Sequence, residues 1–188
     1  MTQLDDLKKA HDEITVRAKS IRSDQWGLPT PCEKWTVRHL VTHVVEGSNM
    51  AVLLLQGASA EESLQVFGVD HHDLVAELEA ALAREAEAFA TPGAFEMTVH
   101  HPGAGDLPGA VFCGFRTGDC LLHSWDLARA TGADESLPGD LVQTIWESLQ
   151  PLAPVIGTLG VFGEGPSGNV GEDASLQARL LDLTGRRP

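Results

Sequence analysis

Residues 119–132 read DCLLHSWDLARATG. Leu121, Leu122, Trp125 and Leu127 make the stretch apolar on most sides, and Gly132 supplies the glycine that stops a helix. The helical period starts at about Val111 and continues to Thr131, so a long helix buried among other helices is expected. Asp119 and His123 are four residues apart and share one face of it. A carboxylate in such surroundings must be paired or must coordinate a cation, since burying it alone costs on the order of several kcal/mol.

Helical signals continue upstream. Leu4, Leu7, His11, Ile14, Ala18 and Ile21 recur at spacings of three and four, the seam of a first amphipathic helix. IRSDQWGLPTPCEKW follows, and its two prolines and glycine predict an extended run. Thr36 is a suitable N-cap for a second helix to about Leu55, with Val37, Leu40, Val41, Val44 and Val45 on its apolar side. QGASAEES reads as a loop. Asp70 is placed to cap a third helix carrying Leu74, Leu78, Ala81 and Phe89.

FEMTVH, residues 95–100, alternates like a short strand, with PGAGDLPG as its turn. Beyond Gly132, Pro138 lies in the first turn of a further helix holding Val142, Ile145, Trp146 and Leu149. A glycine-rich loop spans 161–169, and SLQARLLDLTGRRP holds one short closing helix. Strands are too few for a sheet-based core. The expected fold is all-α: a four-helix bundle with a short extra helix and a small β-hairpin, built as one domain over residues 1–188.

Composition narrows the function classes. The 188 residues include 13 basic and 27 acidic side chains, a formal charge of −14. That surface repels phosphate backbones, and no basic stripe interleaves with aromatics, so nucleic acid is not an expected partner. No apolar run approaches the roughly 20 residues of a membrane span. The start, MTQLDDLKKAHDE, is charged and has no signal-peptide apolar region, so a cytoplasmic protein is expected. Cys32, Cys113 and Cys120 form neither an even framework nor a C-x-x-C pair and read as reduced thiols. No exposed stripe decides between a monomer and a homodimer.

A third ligand for an ion at Asp119 and His123 would come from the second helix. His39 and His43 are both candidates, and H-x-x-x-H is itself ligand spacing. With Thr36 as cap, His39 sits at the helix mouth, where an acid completes a capping box, whereas His43 lies one turn deeper between Val41 and Val44. Position therefore favours His43. Three protein ligands and a vacant position make a catalytic rather than a structural site. The competing reading is a salt bridge from Arg116, three residues before Asp119, or from Arg129, with Asp126, beside Trp125, as a separate acid for which Arg129 and His123 are both candidate partners. His71–His72 are expected at the surface, His100–His101 at a turn, and His11 in the core. No phosphate loop, dinucleotide fingerprint or G-x-S-x-G elbow is present.

Four stretches in the same order, WGLPTPCEKWTVRHLVTHVV, LLHSWDLARATG, the loop beginning VFG, and LLDLTGRRP, resemble the mycothiol-dependent maleylpyruvate isomerase family, its metal-binding domain, within the DinB/YfiT-like superfamily of metalloenzymes. The resemblance implies a four-helix bundle binding zinc or nickel through a histidine of the second helix and an acid and a histidine four apart on a later one. Those positions fall on His43, Asp119 and His123, and His39 falls where relatives commonly carry an acid. Relatives typically place glutamate where Asp119 stands, so the carboxylate arm here is one bond shorter.

The implied function is a metalloenzyme that uses a small-molecule thiol, mycothiol, on a small electrophilic substrate, by thiol transfer or isomerisation. Two alternatives remain open. One is a metal-dependent hydrolase with Glu46 or Asp126 as the base for activated water. The other is a non-catalytic, metal-stabilised binding module.

Overall fold

Thr2 and Asp5 begin the first helix by exchanging bonds: the Thr2 hydroxyl accepts from Asp5 N, and Asp5 accepts from Thr2 N. The resulting α1 (Gln3–Lys19) buries Leu7, Ala10, His11, Ile14 and Ala18, spaced at threes and fours. The computed structural model describes residues 2–188. Thr36 caps α2 (Val37–Leu55), and His39 plays the capping acid's part, its Nδ1 accepting from Thr36 N at 3.2 Å.

The stretch expected as a loop contains one short turn of helix, α3 (Ala60–Ser63), because Ser59 and Glu62 form another capping box. The next helix, α4 (Leu74–Phe89), is capped by Asp73, not Asp70. Asp73 directly precedes the first turn and reaches Ala76 N at 3.2 Å. The chain before it is held by Glu77, which accepts from His72 N and Asp73 N.

A hairpin follows, β1 (Thr98–His101) antiparallel to β2 (Gly105–Pro108), with Val99 opposite Leu107 and His100 opposite Asp106. The strand begins later than its alternation suggested, since Glu96 N and Met97 N both turn back to Gly93 O. The long helix α5 (Gly109–Thr131) then ends at Gly132, whose φ of 71° is the left-handed conformation a glycine adopts without penalty.

The chain divides into two compact units, one ending at Ala133 and the other running from Asp134 to Pro188. In the first unit α1 packs on α4 and α5, and α2 packs on the same two helices, which closes a four-helix bundle. Its interior is layered. Leu7, Met50, Leu54, Phe89, Phe112 and Cys113 form an apolar layer, with the Phe89 and Phe112 rings 5.9 Å apart. One turn away on each helix lie His11, Ser48, Glu85 and Arg116, all buried. One further turn along α2 and α5 lie His43 and Asp119.

In the second unit α6 (Gly139–Leu149) packs on α7 (Leu176–Leu183), with the Arg179 guanidinium 4.7 Å above the Trp146 ring. Among the described residues no helix is long and apolar enough to cross a membrane.

Candidate metal centre

His43 and the Asp119/His123 pair arrive from facing helices of the bundle. His43 Nε2 lies 3.4 Å from Asp119 Oδ1, and His123 Nε2 lies 3.3 Å from the same oxygen. One ligand atom from each residue falls within 4.8 Å of the others. The imidazoles meet edge to face, centroids 5.1 Å apart. The side chains of His43 and Asp119 are 33% and 24% exposed and that of His123 is 9%, so the cluster is partly open to solvent. His39 is not part of it, since its ring is spent on the helix cap.

The salt-bridge reading is realised as well, on the other carboxylate oxygen. Arg116 Nη1 donates to Asp119 Oδ2 at 2.8 Å, its Nε to Glu85 Oε1 at 2.6 Å, and its Nη2 to Ser48 Oγ at 3.1 Å. His11 Nε2 stands 3.2 Å from the second Glu85 oxygen, so the network ties together all four helices of the bundle. Gly47 leaves room for it, because a Cβ there would meet Arg116 Nη1 at 2.9 Å. Arg129, the other expected competitor, instead lies 4.6 Å above the Trp125 ring.

Burial opposes the charge on Asp119, but His123, His43 and Arg116 outweigh it and hold its carboxyl well below the usual range. Burial likewise opposes a charged His123. The Asp119 carboxylate and hydrogen bonds to Asp119, Asp126 and Cys32 override that and raise it well above an ordinary histidine. A divalent ion and a proton would thus compete for His123. The set of two imidazoles and one carboxylate suits borderline ions such as zinc or nickel.

Behind His123, Asp126 Oδ2 lies 2.9 Å from Nδ1 and accepts from Cys32 Sγ at 3.3 Å. Cys32 belongs to a segment expected to be extended but in fact folded back on itself. Pro29 and Thr36 form an isolated bridge, Trp35 N donates to Cys32 O, and Cys32 N donates to Thr30 Oγ1 at 3.2 Å. Lys34 closes the turn at φ 67°. The loop sets the Trp35 ring 4.7 Å from His43 and 5.7 Å from His123, a wall that residue spacing alone did not single out.

The two bases considered for water activation are engaged elsewhere. Glu46 accepts from Gly68 N at 2.7 Å, and Asp126 faces the far nitrogen of His123. His71, expected at the surface, has its side chain 6% exposed between Glu77 and Glu46, while His72 is exposed. His100 pairs with Asp106, and His101 accepts from Gly103 N and Ala104 N within the hairpin.

Known proteins bear on this arrangement. A family model described as mycothiol maleylpyruvate isomerase N-terminal domain matches residues 7–128. Uncharacterized proteins of Mycobacterium tuberculosis, from strains CDC 1551 / Oshkosh and ATCC 25618 / H37Rv, are each 40% identical over 134 residues, 71% of this chain and 70% of theirs. The crystal structure of a mycothiol-dependent maleylpyruvate isomerase superposes with a TM-score of 0.61 at 18% identity, covering 90% of this chain and 72% of that one. A histidine-to-alanine mutant of that isomerase gives 0.63 at 17% identity over the same shares. At those identities the likeness speaks for the fold.

Proposed function

Because this chain belongs to the mycothiol maleylpyruvate isomerase N-terminal domain family, we propose that it binds a divalent ion, zinc or nickel, through His43, Asp119 and His123 and uses a low-molecular-weight thiol on a small electrophilic substrate. The observation that carries this reading is the convergence of the three ligand atoms within 4.8 Å, on a face that stays partly open. When bound, the ion would lower the pKa of a thiol so that thiolate is present near neutral pH.

The chain's own side chains prepare that surface. Arg116 holds Asp119 Oδ2, which leaves Oδ1 aimed at the imidazoles. Trp35 stands beside both rings, its centroid 4.7 Å from that of His43 and 5.7 Å from that of His123. The partial exposure of His43 and Asp119 leaves an entry for the sulfur of mycothiol, the thiol in the family's name. Thiol transfer to carbon, or reversible addition permitting cis–trans isomerisation, are the reactions such a thiolate performs. A cytoplasmic setting accords with a thiol kept reduced.

Hydrolysis has less support, since Glu46 and Asp126 are both committed to other partners. The purified, zinc-loaded protein mixed with a panel of activated cis-alkenes and epoxides, with and without mycothiol, tests the reading. Turnover only with thiol is expected. Equal turnover without it would favour activated water and reject the thiol assignment.

A further inference from the structure

His123 faces a different set of donors on each side of its ring. On the Nε2 side lie Asp119 Oδ1 and His43. On the Nδ1 side lie Asp126 Oδ2 at 2.9 Å and Cys32 Sγ at 3.9 Å, and this second trio also brings its ligand atoms within 4.8 Å. Donor spacing alone does not choose between the two trios. Burial and hydrogen bonding do. Asp126 is fully buried, whereas the side chains around Nε2 are a quarter to a third exposed. Asp126 Oδ2 already receives the Cys32 thiol as a donor at 3.3 Å and lies 2.9 Å from Nδ1, close enough to accept its N–H as a second. A buried carboxylate oxygen with two donors is satisfied, and an imidazole whose Nδ1 carries the proton offers its lone pair only at Nε2.

Resting on the metal reading above, we propose that Cys32 and Asp126 are positioning residues, which keep the proton on His123 Nδ1 and thereby assign Nε2 to the ion. Asp126 orients the ring directly. Cys32 acts one step out, its S–H holding Asp126 Oδ2 in place. The loop that carries Cys32 is made for a fixed placement: the bridge of Pro29 with Thr36 and the bonds of Thr30 to both Cys32 and Trp35 over-determine its backbone. The left-handed Lys34 is a conformation a non-glycine residue holds only when its surroundings impose it. One loop therefore serves both sides of His123, with Cys32 behind the ring and Trp35 beside it.

The experiment is a competition titration of zinc and of cobalt(II) into metal-free wild type, Asp126→Asn, Cys32→Ser and Cys32→Ala, with circular dichroism reporting the fold. Asp126→Asn should weaken zinc binding about 10- to 100-fold, the usual loss when the partner of a ligating histidine is removed. Cys32→Ala should lose about 3- to 10-fold, the worth of one hydrogen bond, and Cys32→Ser, which keeps a donor, should recover most of that. The serine–alanine pair decides the matter even if Asp126→Asn fails to fold.

Cobalt-loaded wild type should show no thiolate-to-metal charge-transfer band until an external thiol is added. Nitrogen-15 spectra of the zinc form should show His123 protonated at Nδ1. A charge-transfer band present without added thiol and lost in Cys32→Ser would make the sulfur a ligand and overturn the proposal. So would wild-type affinity in Asp126→Asn or in Cys32→Ala. Failure of the wild type to take up either ion would instead reject the metal reading, and this inference with it.

Discussion

Asp119 divides its two oxygens between two tasks, Oδ1 toward the imidazoles and Oδ2 toward Arg116. Removing Arg116 would strand Glu85, which is wholly buried, as well as Asp119. Arg116→Leu is therefore expected to destabilise the protein by about 3–5 kcal/mol in urea unfolding; a loss below about 1 kcal/mol would show that the network is not intact in solution. Gly47→Ala weighs two effects against each other. Alanine favours a helix by about 1 kcal/mol, but its Cβ would push on a guanidinium whose charged hydrogen bonds are worth about 1.5–3 kcal/mol each. Net destabilisation is expected, readable as a lowered melting temperature. The contacts of Asp119 with His123 and with Arg116 were legible in sequence because i, i+4 and i, i+3 spacings are local, whereas His43 was singled out only by its depth behind the Thr36 cap. Glu85, Ser48 and His11 were not, since their role exists only once α1, α2 and α4 are packed around Arg116. Burial also sorts the thiols. Cys113 is pushed up to about 12 and Cys120 well above its ordinary value, both mainly by burial. A thiol reagent should reach the half-buried Cys32 before the buried Cys113 and Cys120, which should react only after unfolding; two or more fast-reacting thiols in the native protein would contradict this placement.

At the scale of elements, caps decide where helices begin and therefore where their side chains point. Thr36 sets the register of α2 and hence the level at which His43 meets α5. Thr36→Ala should cost about 1 kcal/mol of stability, measured by denaturant unfolding, with His39 unable to compensate because its ring bonds to the backbone of residue 36 and not to the orphan amides within the helix. The caps of α2 and α5 were readable because threonine and glycine at helix ends act through local geometry. Asp70 and Asp73 are both credible N-caps in sequence, and only the pairing of Glu77 with the backbone before α4 selects the second. The folded loop at Pro29–Thr36 escaped an extended reading for a comparable reason. Prolines disfavour helix but do not distinguish a straight run from a turn closed by Thr30 and Trp35.

For the whole molecule, the class was legible from periodicity: helical spacings dominate, and the hairpin is a minor element. The burial of a charged layer beside the apolar one was not, and it gives the protein a pH dependence. Burial would raise Glu85, but Arg116 and His11 outweigh it, so its folded pKa lies below the ordinary carboxylate value. A depressed carboxylate contributes stability that is fully present above its unfolded pKa and is lost as pH falls through the folded one. Unfolding free energy should thus fall steeply in the acid range, with Glu85→Gln flattening that acid limb. The partly open face at His43, Asp119 and His123 is the proposed ion site. Elemental analysis of protein purified without added metal, on wild type and His43→Ala side by side, tests it most directly. About one zinc or nickel per wild-type chain and little in the variant, with helical content unchanged, is the predicted result; a metal-free wild type, or a variant that holds its ion in full, would contradict it.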